Sequence, residues 1–142
     1  MRIPIARATF AVLAALLEPG ASAALTPAEA QAKVNAFVVA DVQGAGLQMP
    51  PDFTYTLTLF DLNGDGVEEA LIVYKHSSWC GSHGCSAYVL DVRGATPCSL
   101  GDLIAHQLMP APTFTNGWRD LDGGVNTIQF EGGKYGVGSS SC

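Results

Sequence analysis

The chain has 142 residues, 48% of them hydrophobic and 14% charged, with 13 acidic against 7 basic side chains. That length predicts a single folded domain with a modest core. The acidic balance argues against nucleic acid binding, which needs clustered Lys and Arg against phosphates, and suits a cation or a basic protein partner instead.

Arg2 and Arg7 flank the start of the chain, and Ala8 to Leu17 is an apolar run of ten residues. Pro19-Gly20 breaks the run, and Ala21-Ser22-Ala23 supplies a small-x-small cleavage site. This is the pattern of a secretory signal peptide, expected over residues 1–23. The run is too short to cross a bilayer, which takes about 20 residues. The expected mature chain, residues 24–142, is therefore periplasmic or secreted and has no transmembrane segment. Without Arg2, Arg7 and Glu18, five basic and twelve acidic side chains remain, a net charge of −7.

Thr26-Pro27-Ala28-Glu29 predicts a helix start, with Thr as N-cap, Pro at the first helical position and Glu three residues past the cap. Ala30, Val34, Phe37, Val38 and Val42 form one apolar stripe at helical spacing, with Gln31, Lys33 and Asp41 expected in water. The helix should stop at Gly44 in a left-handed C′ conformation. From Phe53 to Phe60 the period changes to two, which predicts a half-buried strand with Phe53, Tyr55, Leu57 and Leu59 inward. Ala70 to Tyr74 is a nearly continuous apolar run, expected at the centre of the sheet. Ser86 to Val92 reads as the third strand, giving a hairpin whose tip holds His76 to Cys85. Leu100 to Leu108 could be a short helix or a strand, with strand favoured because Thr96-Pro97 and Gly101 make a poor helix entry, and Pro110 and Pro112 force an extended connection. Short strands over 118–121, 125–130 and 135–137 complete an antiparallel β-meander, separated by glycine turns. The fold class expected is α+β, one N-terminal amphipathic helix packed on that meander.

Between the first two strands lies Asp61-Leu62-Asn63-Gly64-Asp65-Gly66-Val67-Glu68-Glu69. Oxygen-bearing side chains at positions 1, 3, 5 and 9, with Gly at position 6, suit calcium, which takes about 6–8 oxygens in flexible geometry. Asp61, Asn63 and Asp65 would offer side-chain oxygens, Val67 its carbonyl and Glu69 the closing carboxylate. Asn, Asp and Gly are also what a metal-free tight turn uses. Crowded acidic groups, however, repel one another unless a cation offsets them.

An even count of cysteines in an exported chain argues for disulfides. The glycines of Cys80-Gly81-Ser82-His83-Gly84-Cys85 let that short loop close on itself, which leaves Cys98 with Cys142. Zinc held by Cys80, Cys85, His76 and His83 is the competing reading, with an unusual spacing. Trp79 and His83 at the hairpin tip are the candidate partner-binding residues, since Trp often anchors interfaces. Trp79 folded back over the end of the core is the alternative. Catalytic motifs for nucleophilic, zinc-protease or phosphate chemistry are lacking, and no catalytic residue is assigned. The acidic residues Glu68, Glu69, Asp120 and Asp122 are the only set from which a small cell-wall hydrolase could be built.

Asp-x-Asn-Gly-Asp-Gly-x-x-Glu followed by an apolar strand resembles the calcium loops of FG-GAP and integrin-type repeats. It departs from an EF-hand, with Ile72 at position 12 and strands rather than helices on its flanks. Joined to Trp-Cys-Gly-Ser-x-Gly-Cys, Gly-Trp-Arg-Asp-Leu and Gly-Gly-Lys-Tyr, the loop is similar to a group of small exported bacterial proteins of undefined role. The resemblance implies calcium as the bound ion and assigns no activity. The function expected is a non-enzymatic exported binding protein, of inhibitor or immunity type by analogy of size and disulfides, with a protein or cell-wall partner. A purely structural calcium loop is the further alternative.

Overall fold

The computed structural model describes residues 24–142, so the expected signal peptide lies outside the described residues. The α-helix α1 spans Pro27–Gly44. Thr26 accepts the Glu29 N–H at 3.2 Å, and the Glu29 carboxylate accepts the Thr26 N–H at 2.8 Å, so the predicted capping box forms. The C-terminus differs from expectation: Gly44 stays helical and Gly46 takes the left-handed conformation at φ 74°. Gly46 N–H donates to Gln43 and Leu47 N–H to Val42, which is the Schellman closure and needs its glycine two residues later. No helix among the described residues is long and apolar enough to cross a membrane.

The strands are β1 (Tyr55–Phe60), β2 (Glu69–Tyr74), β3 (Cys80–Gly81), β4 (Gly84–Asp91), β5 (Cys98–Ala105), β6 (Met109–Thr115), β7 (Trp118–Asp122), β8 (Thr127–Ile128), β9 (Phe130–Glu131) and β10 (Lys134–Tyr135). All pairings are antiparallel. They do not make one meander. β1, β2, β4 and β5 form the main sheet, with the short β3 paired to the start of β4; β6, β7 and β8 form a second sheet, and β9 and β10 a hairpin. Together with α1 this gives an α+β body.

Every residue of β2 is buried, because both faces of the main sheet are covered. Ala70, Ile72 and Tyr74 pack with Val34 and Val38 of α1, while Leu71 and Val73 pack with Leu121, Ile128 and Tyr135 on the opposite side. The period-two pattern of β1 places Tyr55, Leu57 and Leu59 against the helix-side core, as predicted. Each fully buried aliphatic side chain in these layers contributes roughly 1.5–3 kcal/mol.

Asp41 does not face water as its helical position suggested. It is half-buried and accepts hydrogen bonds from the Tyr74 phenol at 2.7 Å and the Tyr88 phenol at 3.1 Å. Burial first, and Asp41 after it, pushes both phenols well above their ordinary pKa. Lys33 also turns inward, its Nζ donating to the carbonyls of Val92, at 2.9 Å, and Gly94.

Candidate acidic loop site

Residues 61–68 reverse the chain between β1 and β2, whose ends Phe60 and Glu69 are paired. Leu62 fixes the loop at its base, because its side chain is fully buried in the core between the two sheets. Its N–H donates to Glu69 Oε2 at 2.9 Å, and its carbonyl accepts the Arg119 N–H of β7 at 2.7 Å.

Above that anchor the loop folds on its own amides. Asp61 accepts the N–H of Gly64 and of Gly66, each at 2.8 Å. Asn63 Oδ1 accepts Asp65 N–H at 3.1 Å, and Asp65 Oδ1 accepts Val67 N–H at 2.9 Å. Gly64 and Gly66 sit at φ 75° and 85°, where an L side chain is strained, so the two glycines are what permit this wrapping. A metal-free turn uses bonds of the same kind.

Two charged residues that sequence reasoning passed over belong to the same corner. Arg93, just past β4, places Nη1 3.1 Å from Asp65 Oδ2. Its Nε lies 3.0 Å from both oxygens of Asp91, its Nη2 contacts the same carboxylate, and its backbone N–H adds a bond to Asp91 Oδ1 at 2.9 Å. These contacts, the side-chain bond foremost, hold the Asp91 carboxyl below its ordinary pKa. The repulsion expected among the loop acids is thus partly relieved by a guanidinium. Asp65 and Arg93 lie 28 residues apart, so no local pattern could announce them.

Glu69 is different in kind. It is 1% exposed, and while Oε2 holds the Leu62 N–H, Oε1 has no hydrogen-bond partner. Burial is the main force that pushes its carboxyl up to about 7, and Asp65, Asp61 and Asp91 add to it, against the lowering bond from Leu62. An orphaned buried acceptor costs roughly 1–3 kcal/mol, so this atom lacks a cationic or donor partner. All the candidate donors are oxygens, the set that a hard divalent cation prefers. As the side chains stand, no three His, Cys, Asp or Glu among the described residues are gathered closely enough to hold a metal ion. Asp61, Asp65 and Glu69 share one loop with Asn63 and Val67, but the three carboxylates do not gather on one point.

At the far end of the main sheet, Cys80 is bonded to Cys85 and Cys98 to Cys142, so neither hairpin cysteine is available as a zinc thiolate. Trp79 is half-buried and packs edge-on to Phe53, Tyr74 and His76, which makes it a cover for the helix-side core. His83 is exposed, with Nδ1 3.1 Å from Ser82 Oγ. Both still border one open recess of about 450 Å³, together with Ser82 and the exposed Ile104.

The remaining acidic candidates are dispersed. Glu68 and Asp122 are exposed, whereas Asp120 is buried against Thr113 Oγ1 at 2.6 Å with its Oδ1 unpartnered. None of the four main clefts is lined by two of Glu68, Glu69, Asp120 and Asp122. No family model, curated protein or solved structure matches the chain.

Proposed function

We propose that the chain is a non-catalytic exported binding protein whose acidic loop takes up calcium, with Asp61, Asn63, Asp65, Val67 and Glu69 as the residues that would hold the ion. The observation that carries this reading is the orphaned, buried Oε1 of Glu69, the residue that closes the acidic loop. Calcium would supply two positive charges there, and Glu69 and Leu62 would tie the β1–β2 turn that held it to the core. Two disulfides, one closing the hairpin and one securing the tail, support an exported location. The recess bordered by Trp79, His83 and Ile104 is the surface offered to a protein or cell-wall partner.

The test is calorimetric titration of the purified protein with calcium, paired with melting curves in millimolar calcium and in chelator. Saturable heat and a higher melting temperature with calcium are expected, since an ion that binds only the folded state stabilises it by mass action. Identical melting curves and no heat would remove calcium from the account. The alternative hydrolase reading needs two carboxylates in one cleft, and it is weakened because none of the four main clefts is lined by two of Glu68, Glu69, Asp120 and Asp122.

A further inference from the structure

We infer that the cleft between the outer edges of β5 and β8 is a docking groove for an extended, basic segment of a protein partner, which adds to the sheet at Ile104. This surface depends on neither the acidic loop nor the Trp79 recess. Its basis is the direction of the β5 backbone. Asp102 N–H donates to the Ser139 carbonyl at 3.2 Å and His106 N–H to the Gly123 carbonyl at 3.0 Å, so both amides point away from β4. Backbone groups of a paired strand alternate in direction with period two, and Ile104 lies midway between those two residues, opposite Ser86. Its N–H and carbonyl therefore point the same way, and no backbone partner among the described residues meets them. β8 presents a matching edge. Gly123 N–H donates to the Asn126 carbonyl at 2.9 Å, and Asp122 faces Thr127 at the next register position, so Thr127 turns its own N–H and carbonyl away from β7. Ile104 and Thr127 line one cleft of about 630 Å³.

Charge and apolarity select the occupant. Asp102 and Glu131 line the cleft, both exposed, with no Lys, Arg or His among the described residues that line it. Lys134, paired in register with Glu131, places its ammonium on the Gly138 carbonyl at 2.6 Å instead. Ile104, 59% exposed, and Val137, fully exposed, border the same cleft. A Lys or Arg side chain suits this mixture, laying its aliphatic stem on apolar groups and its charge beside carboxylates. A second copy of the chain suits it less, since it brings a net charge of −6. An added strand takes its affinity from main-chain bonds and its specificity from alternate side chains, and the cleft offers partners for both.

The probe is a capped pentapeptide of alternating lysine and valine, beside a version with glutamate for lysine and one N-methylated at its central residue. Each is titrated into the oxidised protein and followed by backbone amide shifts in NMR. The lysine peptide should bind with shifts concentrated at Ile104 and Thr127 and with slowed hydrogen exchange at Ile104 N–H. N-methylation should weaken binding about tenfold, as loss of a main-chain bond requires. Ile104→Pro removes the donor where an edge strand tolerates proline and should weaken it as much. Asp102→Asn combined with Glu131→Gln should weaken it about fivefold, since exposed ion pairs contribute little each. Undiminished binding of the N-methylated peptide, or by Ile104→Pro, overturns strand addition; should Ile104→Pro not fold, the N-methylated peptide decides alone. Equal binding of the glutamate peptide, or by the carboxylate variant, overturns the basic partner. No binding at millimolar lysine peptide, shifts centred elsewhere, or a dimer in sedimentation that protects Ile104 N–H overturns the inference as a whole. None of these results bears on calcium uptake by the β1–β2 loop, which its own titration decides.

Discussion

Replacing Glu69 by Gln in the metal-free protein isolates the cost of the buried charge. Its folded pKa is about 7 against an ordinary 4.5, so the folded state holds the proton more tightly than the unfolded state does. Glu69 therefore contributes its stability fully below about pH 4.5 and loses it as pH rises through 7. At about 1.4 kcal/mol per pH unit, the loss across that window is about 3 kcal/mol. Gln keeps an acceptor for the Leu62 N–H but leaves its amide group unpartnered, which returns roughly 1 kcal/mol of the gain. In chelator at pH 8, Glu69→Gln should be about 2 kcal/mol more stable than the unmodified protein, and the fall in stability between pH 5 and 8 should be absent. Urea unfolding followed by tryptophan fluorescence across that range measures both. An unmodified protein whose stability is flat or rising from pH 5 to 8 in chelator would refute the assignment of Glu69 as a strained buried acid. With calcium present the order should invert, because the variant lacks the closing carboxylate.

Cys142→Ser opens a link between residues 44 apart and should lower stability by about 4 kcal/mol on loop-closure reasoning, read from the urea midpoint. Gly84→Ala places a Cβ 2.5 Å from the Ala105 carbonyl carbon at φ 122°, so it should cost more than about 2 kcal/mol by the same assay. Asp41→Ala strands the fully buried Tyr74 phenol and should cost about 2–3 kcal/mol; a loss under 1 kcal/mol would show that the helix–sheet polar contact is dispensable.

Features set by near neighbours could be read in advance. Thr26 and Glu29 cap α1 across a single turn, the alternation of β1 shows which side faces the helix, and the unbroken apolar run of β2 marks a strand covered on both sides. What escaped was set by distant partners. Asp41 looked solvated until strands β2 and β4 delivered Tyr74 and Tyr88 to it. Pro110 and Pro112 looked like a connector, yet they lie in β6, where the register shift opposite β7 tolerates residues that cannot donate. The expected strand from Val125 to Phe130 splits at Gln129, whose carbonyl accepts the Gly136 N–H as the chain changes partner from β7 to β10. Within the site, the spacing of the acids revealed the loop, whereas Arg93 and Asp91 came from another strand. The depth of Glu69 followed from Leu62 drawing the turn down onto β7.

The tail from Ser139 to Cys142 lies along the outer border of β5, with Asp102 N–H on the Ser139 carbonyl and Ser141 N–H on the Ser99 carbonyl, and Cys98 locks it there. Four residues thus screen a row of backbone groups that would otherwise invite another molecule's strand. In a thiol-rich compartment the lock opens, and the same border becomes a template for self-association. Reductant should therefore raise light scattering as well as lower stability, and a light-scattering comparison with and without it tests this.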